Sequence, residues 1–308
     1  MVDIIKHIMK KSRIICLIFL LLFSWKERAD KLKERLEKNL PSDWQQIYPS
    51  IAICAGVNET FLSGSVNIER EKDGEKVGEK LDLVDDLDLK TPSFGFDLEL
   101  RLNFGARNRL IFAYEQERYV GELDLLDKDI EFAGKVFTGE IETALLIDIF
   151  EIKYQRIFYP VSKFSFGLSG GLENYIIGLM VRSKDLDISA TPSLWLPIPT
   201  LGISGIYKLG YGFSIYGELK GMGLAGMGEG GWLPVPLQLI ISWAGIENFY
   251  AYHWSGEMGV KYVFDRFTVE LGGFYHQGAL KIDYKDENKR DYFKSENIKV
   301  ILRVGAVF

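Results

Sequence analysis

The sequence predicts an all-β fold: a transmembrane antiparallel up-and-down barrel of about ten strands, preceded by a short amphipathic helix. Three observations lead there. From Ser50 onward, apolar residues recur at every second position, the period of a strand. Short and long connections between these segments alternate strictly. Aromatic residues gather near the short connections and at the last residue, Phe308.

The chain of 308 residues has 47% apolar and 26% charged residues, too polar for a helical membrane protein. Its 31 glycines and 13% aromatics suit strands and turns. A net charge of −6 with no basic stripe excludes a nucleic-acid partner. The two cysteines, Cys16 and Cys54, have no metal-ligand company, and no cofactor or metal motif is present.

Residues 1–24 read as a signal peptide. Lys6, Lys10, Lys11 and Arg13 precede the apolar run Ile14 to Phe23, which suits a signal core but is too short to span a bilayer. Met9 before "KKSR" offers an alternative start. Ser24 offers a cleavage point, although Leu22 is larger than the residue preferred there. An uncleaved anchor is the other reading. Residues 25–48 follow as a helix and linker. Trp25, Ala29, Leu32, Leu36 and Leu40 recur at helical spacing, and Pro41 ends the run.

Residues 49–308 form the barrel. Ten segments are predicted: 51–70, 93–104, 109–118, 138–158, 164–182, 194–208, 212–227, 249–263, 267–283 and 292–308. The turns "GARN", "YPVSK", "LGY" and "FDR" are short. The stretches 71–92, 119–137, 183–193, 228–248 and 284–291 are expected as longer loops, mostly polar. Eight or twelve strands also fit, because "PLQLIISWAGI" within 228–248 can pair or plug. In "FGFDLELRLNF", Phe94, Phe96, Leu98, Leu100, Leu102 and Phe104 share one face. Asp97, Glu99, Arg101 and Asn103 share the other. The polar faces carry both signs of charge: Asp97, Glu99, Glu115, Glu117, Glu218, Glu257 and Glu270 beside Arg101, Arg109, Lys208, Lys220, Lys261 and Arg303. This near-balance predicts mutual pairing in a narrow lumen closed by its own charges, with the apolar faces toward lipid.

Phe104, Tyr154, Phe158, Phe164, Phe166, Tyr207, Phe213, Tyr262 and Phe267 lie close to short turns, as an interfacial aromatic belt requires. The terminal run "KVILRVGAVF" places Ile298, Val300, Leu302, Val304, Ala306 and Phe308 on one face. It resembles the C-terminal assembly signal of bacterial outer-membrane β-barrel proteins. That resemblance covers residues 50–308 as architecture and the last ten as motif. It implies an outer-membrane location with both termini periplasmic, contact with outer-membrane lipid and lipopolysaccharide, and reading of Phe308 by the barrel-assembly machinery.

Chemistry in the lumen centres on "FYAYHWSGEMGVKY". His253, Ser255 and Glu257 fall on the inward face, the residue types of an activated nucleophile. His253–Trp254–Ser255 resembles the His-x-Ser of outer-membrane lipid A deacylases, but Gly256 replaces that family's Asn, and Phe267 stands where its downstream Glu belongs. Omptin proteases use an Asp-x-His pair, and here Ala251 and Phe274 precede the two histidines. "DDLDL" (Asp85 to Leu89) supplies loop acids. "WLPIP" (Trp195–Pro199) recurs as "WLPVP" (Trp232–Pro236), expected at strand starts or in loops. The function expected is a structural or surface-interaction barrel or a narrow pore, without catalysis and with its ligand open. The alternative is a lipid-modifying hydrolase using His253 and Ser255.

Overall fold

The computed structural model describes residues 44, 50–72, 75–104, 107–184, 189–190, 193–225, 246–284 and 289–308. The signal peptide, the 25–48 helix apart from Trp44, the "WLPVP" stretch and "PLQLIISWAGI" up to Gly245 lie outside the described residues.

Ten long strands form a closed ring. They are β1 (Ile51–Lys72), β4 (Ser93–Phe104), β5 (Asn108–Phe132), β6 (Lys135–Val161), β7 (Phe164–Ser183), β9 (Ser193–Gly210), β10 (Phe213–Ala225), β11 (Ile246–Phe264), β12 (Phe267–Tyr284) and β13 (Arg290–Val307). Three short strands, β2 (Glu75–Val77), β3 (Leu81–Asp82) and β8 (Ser189–Ala190), attach to β1 and β7. Each long strand pairs antiparallel with the next, and β13 returns to β1 over Ala52↔Val307 to Glu69↔Arg290. The outermost bonds of this seam are Phe308 N–H to the Ile51 carbonyl (2.9 Å) and Ile51 N–H to the Phe308 carbonyl (3.1 Å).

Burial follows the predicted faces. Ile298, Val300, Leu302 and Val304 are exposed on the outer wall, while Lys299, Ile301 and Val307 are buried. The strands are nevertheless longer than a membrane needs. About 9–11 tilted residues cross a bilayer, and β6 has 27. The excess lies toward the long-loop end, and there the alternation reverses. On β6, outward Leu146, Phe150, Ile152 and Tyr154 are exposed near the short-turn end; farther up, it is the inward Phe137, Ile141, Leu145 and Ile147 that are apolar and buried. On β13, outward Ile298 to Val304 give way to inward Phe293, and on β12 outward Phe267, Val269 and Leu271 give way to inward Leu280 and Ile282. Where lipid lies outside, the lumen is polar. Where water lies outside, the lumen becomes an ordinary hydrophobic core.

This reversal corrects the expectation for 119–137. That stretch is no loop: β5 and β6 continue as a tall hairpin, turning at Ala133 and Gly134, both at positive φ (52° and 76°). Two successive positive φ values define the tight turn that matches strand twist. Residues 79–92 are also ordered into the molecule. β4 stops at Ser93, leaving a gap between the taller β1 and β5. β3 pairs with β1 at Ser65–Val66, and Lys90 N–H bonds the Val120 carbonyl on β5 (2.9 Å). Leu81, Leu83, Leu87 and Leu89 are thereby buried in the upper core with Tyr119, Phe132 and Phe137.

Trp195–Pro199 lies near the start of β9. The ladder to β10 reaches only Leu201, so among the described residues Pro197 and Pro199 pair only toward β7. A strand edge tolerates a residue without a donor.

The lipid-facing register makes one prediction. Leu302→Arg, well inside the apolar band, should cost about 2–4 kcal/mol and Ala306→Arg at the rim less than about 1 kcal/mol. Urea titration of folded barrel in phospholipid vesicles measures both, and equal costs would reject this register.

Candidate functional site

The polar faces of all ten strands meet in one chamber at membrane depth. Alternation points each polar side chain inward, and closure of the ring brings together residues far apart in sequence. Arg101 on β4 makes two forked pairs. One is with Glu99 (Nε–Oε1 2.6 Å, Nη2–Oε2 2.8 Å) and the other with Glu270 on β12 (Nη1–Oε1 2.6 Å, Nη2–Oε2 3.0 Å). Arg303 on β13 donates to Asp97 (2.8 Å) and Glu257 (2.6 Å). Lys299 holds Glu115 (2.7 Å) and Glu117. Lys153 and Lys220 share Glu151, and bind Glu218 (2.7 Å) and Glu173 (2.5 Å) respectively. The predicted mutual pairing is present. Paired geometry of this kind offsets the large cost of taking charge out of water.

A cavity of about 150 Å³ lies among these groups, room for a few waters. Among the described residues, apolar side chains pack at both of its ends. Above it sits the apolar core. Below, at the short-turn mouth, Trp44 is 1% exposed and packs on Ile157, Ile206 and Tyr159. The Lys208 ammonium lies 3.7 Å from the Trp44 ring centre, a cation–π contact. The paired charges fill the membrane half of the lumen, as expected, and apolar packing adds to them at either end.

His253 and Ser255 do lie inward and buried, with Trp254 and Met258 outward. The acid beside His253 is not Glu257, which bonds Arg303 and the Tyr216 hydroxyl (3.0 Å). It is Glu173 on β7, with His253 Nδ1 3.4 Å from Oε2. The Tyr175 hydroxyl donates to that same carboxylate (2.8 Å) and lies 3.4 Å from His253 Nε2. His276 completes the group, its ring centre 4.6 Å from that of His253. Ser255 is paired across the ladder with His276, and among the described residues its hydroxyl has no hydrogen-bond partner. The three candidates thus share a wall without forming a nucleophile–base–acid relay. The acids of "DDLDL" serve local structure: Asp86 accepts from the Asp82 amide (2.8 Å) and Asp88 pairs with Lys90 (2.6 Å), while Asp82, just before the run, accepts from the Val84 and Asp85 amides (2.8 and 2.9 Å). No group of acids, cysteines and histidines able to hold a metal ion occurs among the described residues.

Lys153, Glu151 and Lys299 were missing from the sequence-derived charge set. All three are inward by simple parity, so the signal was present. What parity could not show is that Glu173, 80 residues from His253 by number, is its acid.

No protein-family model matches the chain, and no curated protein matches it. It is similar in fold to several solved structures. Outer membrane protease OmpT from Escherichia coli shares 13% identity over 83% of this chain and 97% of that one, with a TM-score of 0.47. The translocator domain of autotransporter NalP from Neisseria meningitidis shares 12% over 93% and 96%, with a TM-score of 0.38. The attachment invasion locus protein Ail of Yersinia pestis shares 12% over 84% and 99%, with a TM-score of 0.33. These likenesses extend to fold and carry no activity across. The closed antiparallel ring with an apolar belt and a polar lumen is a transmembrane β-barrel.

The stopper at the lower mouth is testable. In a Cys54→Ser background, a Ser204→Cys reporter in the cavity wall should react slowly with a charged methanethiosulfonate. Trp44→Ala should speed that reaction at least tenfold. Equal rates would show that Trp44 does not limit access.

Proposed function

We propose that this protein is a closed outer-membrane barrel with a structural or surface-interaction role, and neither an open pore nor an enzyme. The observation that carries this reading is the doubly stopped lumen, with an apolar core above the ionic chamber and Trp44 below it. A channel needs a continuous wet path. Among the described residues, packed apolar side chains stand at both ends of the chamber.

In this reading the long-loop end faces the cell exterior and both termini lie in the periplasm. The tall β5–β6 hairpin and the 79–92 segment form a stable platform above the membrane. Outward positions on that hairpin carry Glu122, Asp124, Glu131, Lys135 and Glu140, which suits a water-facing surface. Outer-membrane lipid and lipopolysaccharide surround the belt. Phe308, exposed at the barrel seam, is the residue offered to the assembly machinery.

The hydrolase alternative has less support. It requires the Ser255 hydroxyl to reach an imidazole base and a lipid, yet that hydroxyl is buried and has no hydrogen-bond partner among the described residues. Two measurements test the reading. Purified barrel in a planar bilayer should give no steady conductance, and a large stable current would overturn the closed-lumen proposal. Incubation with lipid A or phospholipid should release no fatty acid, and release abolished by Ser255→Ala would establish the hydrolase instead.

The assembly role has its own test. Deleting Phe308 should leave export intact but prevent insertion, so that material accumulates in the periplasm. Normal yields of heat-modifiable barrel from the deletion would remove Phe308 from the assembly step.

A further inference from the structure

Among the described residues, two carboxylates on the outer wall, Asp148 and Glu59, are handled differently. Asp148 on β6 is buried against the wall and satisfied locally: it accepts from the Tyr114 hydroxyl (2.6 Å) and the Gln116 amide (2.7 Å). Glu59 on β1 has no such help. Its outward neighbours are Val57 and Phe61 along the strand, Phe94 on β4 and Val300 on β13, all exposed apolar side chains. Among the described residues it has no hydrogen-bond or ion-pair partner. A carboxylate facing hydrocarbon without a partner is costly.

The same row of the sheet contains its complement. Glu59 is level with Phe94. Phe96 is level with Gln116, so Phe94, two residues farther along, is level with Arg118 on β5. The row therefore reads Glu59, Phe94, Arg118 across three adjacent strands. Phe94 is 76% exposed, standing out from the wall. Arg118 is exposed, with Val120 exposed beside it, and its guanidinium also lacks a partner among the described residues. Glu59 and Arg118 are about 10 Å apart across two strand spacings and do not pair within the chain.

We infer that the β1–β4–β5 face is a lateral interface between two copies of this chain, with Phe94 at the two-fold axis. An acid, an aromatic and a base in one row form a self-complementary patch. Rotation about the membrane normal, which relates two copies inserted in the same sense, sets Glu59 of one copy opposite Arg118 of its partner, twice, around facing Phe94 rings. Strand tilt separates the opposed groups by roughly 6 Å in depth, within the reach of an arginine side chain. Lipid does not satisfy this patch. An anionic headgroup matches Arg118 and leaves Glu59 bare, whereas a second copy matches both.

The test uses full-length protein with Cys16 and Cys54 replaced by serine. Phe94→Cys should form an oxidant-induced disulfide dimer in outer-membrane vesicles, and Leu168→Cys, exposed on β7 outside this face, should not. In micelles, Glu59→Arg or Arg118→Glu alone should weaken the dimer at least tenfold by sedimentation, and the double exchange should restore it. Heat-modifiable migration of each variant reports a folded barrel separately. If either charge reversal prevents folding, Glu59→Gln and Arg118→Gln should each weaken the dimer. Cross-linking at Phe94→Cys no greater than at Leu168→Cys, or dissociation unchanged by the charge variants, would overturn the inference.

Discussion

The structure depends on closure of the sheet. In hydrocarbon no water satisfies a free backbone N–H or C=O, so an open edge is intolerable and the last strand must find the first. The β13–β1 ladder meets that demand over 18 residue pairs and is completed at its lower edge by Phe308 and Ile51. Once the ring is closed, every side chain must lie either inside or outside, and the rest of the architecture follows from what each side can solvate.

Inside the membrane belt, closure at the β13–β1 seam brings acids and bases from the two ends of the chain into one space. Arg101 reaches Glu270 across a separation of 169 residues, and Arg303 reaches Asp97 across 206. Forked guanidinium–carboxylate geometry is stronger and more directional than a single contact. The chamber therefore cross-braces the ring from within. His253, His276, Tyr175 and Glu173 sit at its upper edge, where the ionic layer meets the apolar core. Their arrangement fits a structural boundary: the Tyr175 hydroxyl and the Lys220 ammonium hold the buried Glu173 carboxylate, and the His253 ring lies beside it.

Above the belt the outside becomes water and the inside must become apolar, because a polar lumen there would leave nothing to hold the strands together. The leucines of 79–92 fill the space left where β4 ends, and the β5–β6 hairpin rises around them. The barrel thus carries a water-soluble β-domain continuous with its own membrane wall. The exposed Glu59–Phe94–Arg118 row lies lower, on the membrane wall.

The alternation along each strand was legible in the sequence, since side-chain period and inward or outward placement are local properties of a strand. It determined the ten membrane-spanning segments, their lipid faces, the short turns, and the inward direction of His253, Ser255 and Glu257. The extension of β5 and β6 through 119–137 was missed because its apolar residues change faces there. A reversed phase looks like a lost one until the barrel axis is known. Pairing was likewise beyond reach: Glu173 rather than Glu257 beside His253, and Trp44 in the lower mouth, follow from which strands stand opposite each other. Local chemistry tells a residue which way to point, and only the closed ring determines what it meets there.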